Sequence, residues 1–569
     1  MVEYGLLDYT AYDFFRQYSS GLFARPHTFI TTRCLAYLSS FGFAQQPELL
    51  DGIWLQAFLN GHPLLHYAYR YWGIHSKACY GEGGLPAVVI IFLAQWKSYP
   101  YISDSNHDFD WLNSSHIAAC YGLSDTLPAT NEWCNEVSGI WHHTSLTLAS
   151  ANGHKEVVEN LLGRSSVNIN SQNRDGRTAL FSASHSGHEA IVSLLLTRND
   201  VNINSQDRDG QTALFVASFK GDEAIVKLLL SRNDIDVNTT TIRYLNGIPA
   251  GQTPLSAASC RGHEAIVNML LSRKDVDINS KDEDGQTALF FASLLGHEEI
   301  VKLLLSRNDI AINTTSIWSG FSIPGETPLL VASYGGHKAI VKLLLSRDNV
   351  EINLQDDYGQ TALFFASLYG YEEIVELLLS RDDIAINATT TRSGFLNGIS
   401  AGQTALSAAS RRGHEVIVKL FLSRNDVDIN SNDEDGQTAL FFASLHGHEE
   451  IVKLLLSRND IAINTPTIWS GYSIPGQTPL LAASDEGHTA IVKLLLSRND
   501  LNINSQDENG QTALFLASSH GHEAIVELLL SRIDVDIDSQ NIYGRTALSA
   551  ASTNGHDRIV ELLRSRNAV

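Results

Sequence analysis

From residue 144 onward the apolar and polar positions of the chain return in one order. The clearest copy reads Thr287-Ala-Leu-Phe-Phe-Ala-Ser-Leu-Leu-Gly-His-Glu-Glu-Ile-Val-Lys-Leu-Leu-Leu-Ser-Arg-Asn-Asp309. Its first part predicts a short helix. Thr287 can cap it by accepting a free N–H of the next turn, small Ala292 and Ser293 let neighbouring helices approach, and Gly296 ends it in the left-handed conformation. Ile300, Val301, Leu304 and Leu305 then form an i, i+1, i+4, i+5 apolar stripe, which predicts a second helix with one buried face. The alternating apolar residues of Asp-Ile-Ala-Ile-Asn can tuck under the helices. An Asp-Gly pair such as Asp284-Gly285 supplies the φ > 0 positions of a tight hairpin.

The leading threonine recurs at positions 144, 178, 212, 253, 287, 327, 361, 404, 438, 478, 512 and 546, in steps of 34 residues except for four of 40 to 43. Pro254, Pro328 and Pro479 follow such threonines at the first helical position, where a missing N–H costs nothing. Twelve units with a period near 33 indicate one supersecondary element per repeat. The unit resembles the ankyrin repeat, whose signature is Thr-Pro-Leu-His-x-Ala followed by Gly-His. The resemblance implies an all-α ankyrin-repeat solenoid with short β-hairpin loops over residues 144–569. The signature histidine is replaced by Phe290 here and by Phe, Ser or Leu in most copies, so apolar packing is expected to tie neighbours together instead. Asn113-Ser-Ser-His-Ile-Ala-Ala-Cys-Tyr-Gly122 fits the same pattern, which makes residues 111–143 a degenerate capping repeat. At the other end Arg564 fills the slot of Leu305, as expected where the stack ends.

A second order of repetition lies above the first. Residues 253–403 and 404–554 correspond at an offset of 151, four repeats at a time. Between 287–320 and 438–471 three positions differ: Leu295/His446, Thr315/Pro466 and Ser316/Thr467. A surface in the first block is therefore expected to be presented again in the second.

Residues 1–110 do not repeat. Dense aromatics and helical spacing predict a small helical domain. The stretches Pro26–Leu38 and His62–His75 resemble the segment that joins the nucleotide-binding NACHT domain to the ankyrin array in fungal NLR-like receptors. The resemblance implies a sensor array without its ATPase, because no Gly-Lys pair occurs in the chain and a phosphate-cradling P-loop needs one.

Lys+Arg 40 against Asp+Glu 63 gives a net charge of −23. Nucleic acid is a poor partner for such a surface. The five cysteines (Cys34, Cys79, Cys120, Cys134 and Cys260) are few, odd in number and free of Cys-x-x-Cys spacing, so neither a disulfide framework nor a zinc ribbon is expected. The N-terminus lacks the pattern of a signal peptide. The apolar run Leu85–Trp96 is about 12 residues, too short to span a membrane, and reads as a buried helix or strand. Cytoplasm or nucleus follows.

Ten of the twelve repeats carry a histidine after the glycine, but stacking sets these in a row, one per unit, each serving its own turn, and Asp222 and Tyr371 fill the same slot. His62, His66, His75, Cys34 and Cys79 meet no standard zinc spacing. Gly320-Phe-Ser322-Ile-Pro-Gly325 has its glycine one residue too late for a nucleophile elbow. No catalytic residue, cofactor or metal site is expected. The chemistry instead points to protein or peptide partners. In ankyrin proteins these dock in the concave groove of hairpin tips and first helices, and the pair before Gly-His carries many contacts. Here that pair varies while its surroundings hardly change: Phe219-Lys220, Cys260-Arg261, Leu294-Leu295, Tyr334-Gly335, Arg411-Arg412 and Asp485-Glu486. Neutral drift at exposed positions would give the same variation. The four long repeats replace the Asp-Gly hairpin with loops carrying Tyr244, Trp318, Phe321, Phe395, Trp469 and Tyr472. Two readings of these rings stand: anchors for a partner, or packing onto their own solenoid.

Without a phosphate-cradling loop the purified chain is expected to hydrolyse neither ATP nor GTP. Turnover that co-purifies with the protein and disappears on deletion of residues 1–110 would contradict this reading.

Overall fold

The structure is a computed structural model describing residues 25–40, 63–95, 99–102, 109–127, 135–243, 249–317, 323–393, 399–468 and 474–567. It contains 28 α-helices among the described residues. The chain divides into two compact units, Met1–Asp282 and Glu283–Val569.

In the first unit the helices Pro26–Ser40 and Pro63–Ala78 pack together. The second of these continues into a short 3-10 turn, Cys79–Glu82. Trp72 is fully buried; its ring lies 5.1 Å from Phe92 and 5.4 Å from Tyr121. Through Tyr121 the non-repeating segment shares its core with the helix Ser114–Tyr121. The apolar run of residues 85–96 is the helix Ala87–Gln95, with Val89, Phe92 and Leu93 buried but Ile90 and Ile91 exposed. Its burial is therefore one-sided. Beside its helices the segment holds one strand pair that the sequence reading did not include: Tyr99–Ile102 pairs antiparallel with Phe109–Leu112, Tyr99 opposite Leu112.

All twelve threonines cap a helix of seven or eight residues. In the reference copy the Thr287 hydroxyl accepts the Phe290 N–H at 3.3 Å, and Gly296 has φ +79°. Ile300, Val301, Leu304 and Leu305 are buried, as are Ile310 and Ile312 below them. Asn113 caps Ser114–Tyr121 with a full capping box to His116. Arg564 is exposed.

The hairpin tips differ from expectation. Gly210 N–H bonds Asp207 O at 3.0 Å and Asp207 N–H bonds Gln211 O at 2.9 Å, which closes a turn with one residue, Gly210, at positive φ. That is a type I turn ending in a left-handed glycine, not a turn with two positive-φ residues. No β-ladder forms at the tips among the described residues, only the isolated bridges Thr389–Thr404 and Asn432–Thr438.

Polar bonds tie each repeat to the next. Asn430 donates to Asp460 O at 2.7 Å and accepts from Ala462 N–H at 2.7 Å. Asn170, Asn204, Asn238, Asn353 and Asn504 donate to the backbone of the following repeat and accept from it in the same way. On the far side, Arg424 grips Asp426 through two bonds of 2.9 and 2.7 Å and donates to Leu379 O of the preceding repeat at 3.0 Å. That carbonyl closes a second helix whose last C=O groups have no partner within it. Asn430→Ala is expected to remove two such bonds, costing about 1–3 kcal/mol locally. Amide hydrogen exchange should accelerate near residues 430–462 and stay unchanged in distant repeats; acceleration throughout the unit would refute nearest-neighbour stability.

Candidate partner-binding surface

The histidines after the glycines do structural work, although not within their own turns as the sequence led us to expect. His448 Nε2 lies 3.1 Å from Arg411 O, and His337, His414, His488 and His522 reach the preceding repeat in the same way. His154, His188 and His263 do so in the first unit. These bonds restore the polar tie that loss of the signature histidine had seemed to transfer to apolar packing. Each carbonyl so held lies in the variable pair or next to it. Gly413 shows why the preceding residue is glycine: its φ is +81°, and a Cβ there would come within 2.7 Å of the His448 ring.

Within each unit the variable pairs stand in a row at the ends of the first helices. The first member is half-buried and the second exposed in Phe219-Lys220, Cys260-Arg261, Leu294-Leu295, Arg411-Arg412 and Asp485-Glu486. Tyr334 is itself exposed. Neighbouring pairs touch. The Arg261 guanidinium lies 4.1 Å above the Phe219 ring, which packs on Phe181, Phe215 and Val216. Lys220 Nζ donates to His185 O. Tyr334 meets Phe365 and Tyr369 edge-on, with ring centroids 5.6 and 5.2 Å apart. Arg411 lies 5.4 Å over Phe442, and Asp485 Oδ1 meets His520 Nδ1 at 2.9 Å. These contacts hold the side chains in place before any partner arrives.

Tyr244, Trp318, Phe321, Phe395, Trp469 and Tyr472 lie outside the described residues. So do Gly320 and Ser322, the suspected elbow, and His62, Cys134 and the His66 side chain. In the non-repeating segment His27 Nδ1 and His75 Nδ1 are 3.0 Å apart, and burial lowers the His75 pKa to about 4. Among the described residues no three His, Cys, Asp or Glu side chains are grouped to hold a metal.

A family model described as ankyrin repeats (three copies) matches residues 146–241, 240–316, 317–390, 391–467 and 480–569. The chain belongs to the ankyrin-repeat family. No curated protein sequence matches it. Ankyrin repeats are in general protein–protein interaction modules, and proteins built from them are typically scaffolds without catalytic activity. Among the described residues no helix is long and apolar enough to cross a membrane.

The residue before the capping threonine is Gln in eight repeats, among them Gln360 and Gln477, but Glu326 in one. Its backbone closes the base of an aromatic loop, with Ser316 N–H on Glu326 O at 2.9 Å and Glu326 N–H on Ser316 Oγ at 2.9 Å. Burial, with the Asp356 charge nearby, raises its carboxyl from 4.5 to about 7. A folded pKa above the unfolded one means that the proton stabilises the fold fully below about pH 4.5 and not above about pH 7. Glu326→Gln removes this titration. The variant is expected to equal the parent at pH 4.5 and exceed it by about 1–3 kcal/mol at pH 8; equal melting at both pH values would refute the assignment.

Proposed function

We propose that this protein is a recognition scaffold or sensor that binds protein or peptide partners through the hairpins and first helices of its ankyrin array and performs no catalysis. Within each unit the row of variable, mutually restrained pairs carries the reading. Phe219, Lys220, Arg261, Leu294, Leu295, Tyr334, Arg411 and Arg412 belong to it, and the aromatic loops extend it as anchors. In this reading residues 1–110 are a helical domain bearing a small hairpin, and residues 111–143 cap the array. Nucleic acid is disfavoured by the charge of −23. Cys34, Cys79 and Cys120 form no disulfide, which fits the cytoplasm or nucleus. A second reading, the sensing part of an NLR-like receptor, is supported by the stretches Pro26–Leu38 and His62–His75; a Walker A motif encoded immediately upstream of Met1 would favour it.

Photo-crosslinkers placed in the full chain at Tyr334 and Arg412, and at Lys342 on a second helix, test the surface. Partner capture at the first two positions and not at Lys342 is expected; capture at Lys342 alone would overturn the proposal. Trp318 and Trp469 occupy equivalent places in the copied blocks. Replacing both with alanine should weaken binding of the captured partner more than either change alone, by about 2 kcal/mol or more per true hot spot, with melting unchanged. A lowered melting temperature with intact affinity of the folded fraction would show instead that the rings pack on their own array.

A further inference from the structure

In a chain of net charge −23 one cleft is lined by basic side chains. Arg411, Arg412, His446 and His448 line this open cleft of about 340 Å³ within the unit Glu283–Val569. Arg411 is oriented by the Phe442 ring, and His448 by its bond to Arg411 O. His446 is exposed, its ring 6.2 Å from that of His448. Arg412 is exposed and makes no hydrogen bond or ion pair among the described residues. Nearby acids are largely engaged elsewhere. Asp433 accepts from Asp435 N–H, Gln437 N–H and Gln403 Nε2 at 3.1, 2.8 and 3.3 Å, and Asp485 holds His520. Glu486 of the next repeat offsets part of the charge felt at His446.

The corresponding block lacks two of the basic side chains of this cleft. At the positions of Arg411, Arg412, His446 and His448 the first block carries Cys260, Arg261, Leu295 and His297. In the helix 405–412 only Pro254/Ala405 and Cys260/Arg411 differ from 254–261, and across 438–471 Leu295/His446 is the one difference outside the loop. Two of these few changes each put a basic side chain in place of an uncharged one, and both line the same cleft.

We propose that this cleft binds an oxyanion-bearing side chain of a peptide partner, a phosphorylated residue or a glutamate or aspartate, and that the site is particular to the second copy. The proposal rests on the peptide-recognition reading above. Guanidinium groups offer paired donors that match carboxylate and phosphate oxygens. The strongly acidic surroundings repel a polyanion, so a single anionic group on an otherwise uncharged segment fits best.

The test uses the full chain and three fluorescent peptide libraries of about nine residues, degenerate except for a central phosphoserine, glutamate or alanine. The anionic libraries are expected to bind about tenfold or more tightly than the alanine library, a difference of the size expected for a charge-assisted pair. Phosphoserine above glutamate would name phosphate as the source, and equality would show that a carboxylate suffices. The double variant Arg411→Cys/His446→Leu restores residues that the first block already accommodates, so its melting should be unchanged while the anionic preference is lost. Arg412→Glu should reduce the same preference. Equal binding of anionic and alanine libraries, or a preference that survives the double substitution, would overturn the cleft and leave peptide recognition standing. Failure of every library to bind would count against both.

Discussion

Helices of seven or eight residues are nearly all ends, and the ends of a helix carry N–H and C=O groups that it cannot satisfy itself. Here the threonine hydroxyl at the start of each first helix and the serine hydroxyl at the close of most second helices meet part of that need locally, as Ser423 does on Leu420 O at 2.6 Å. The remainder is met by the neighbour. Histidine reaches back to the preceding first helix, arginine back to the preceding second helix, and asparagine forward to the next strand-like segment. The arginine and asparagine ties converge on one aspartate, as at Asp426, while the histidine tie lies apart at the first helix, so together they fix the tilt of each repeat as well as its distance from the next. Burial of the Ile-Val-Leu stripe supplies most of the driving force, but it is non-directional. The polar ties give it one register.

That division of labour explains where the sequence is free to vary. The threonine, the small residues and the Ile-Val pair are held by packing and capping, and the glycine by its positive φ and the next histidine ring. The pair before the glycine is bound mainly through its backbone: the carbonyl of Leu294, Arg411, Leu445 or Asp485 accepts the histidine whatever the side chain is. Side chains there can change without disturbing the tie. Because each leans on the next repeat, as Tyr334 does on Tyr369, change comes with orientation built in.

The caps, the buried stripe and the glycine ends were legible because they depend on residues within four or five positions of each other. The long ties were not. Asn430 and Asp460, or His448 and Arg411, are thirty or more residues apart, and the composition of a repeat does not say whether its asparagine is a solvated turn residue or a bridge. The same limit hid the strands around Tyr99 and Leu112, whose aromatic and apolar residues also suit a helix. It made the Asp-Gly tips look like two-residue hairpins, when the three-residue turn has one positive φ. The variable pairs were legible as positions but not as side chains in contact, since contacts such as Arg261 on Phe219 exist only once the repeats stack.

Copying a block of repeats duplicates a scaffold before it duplicates a function. In the two copies the ties are retained: Asn353 and Asn504, at the offset of 151, each donate to the carbonyl of the aspartate in an Arg-x-Asp clasp, Asp383 and Asp534, both at 2.7 Å. Exchanges at the pair positions cost little stability, whereas a rigid frame under them makes each exchange count for recognition. Placing Arg411 and His446 beside Arg412 required no new backbone. In so acidic a chain two basic side chains change the local potential far more than they change the total charge, and this lets one cleft differ in kind from its counterpart while the fold around it stays the same.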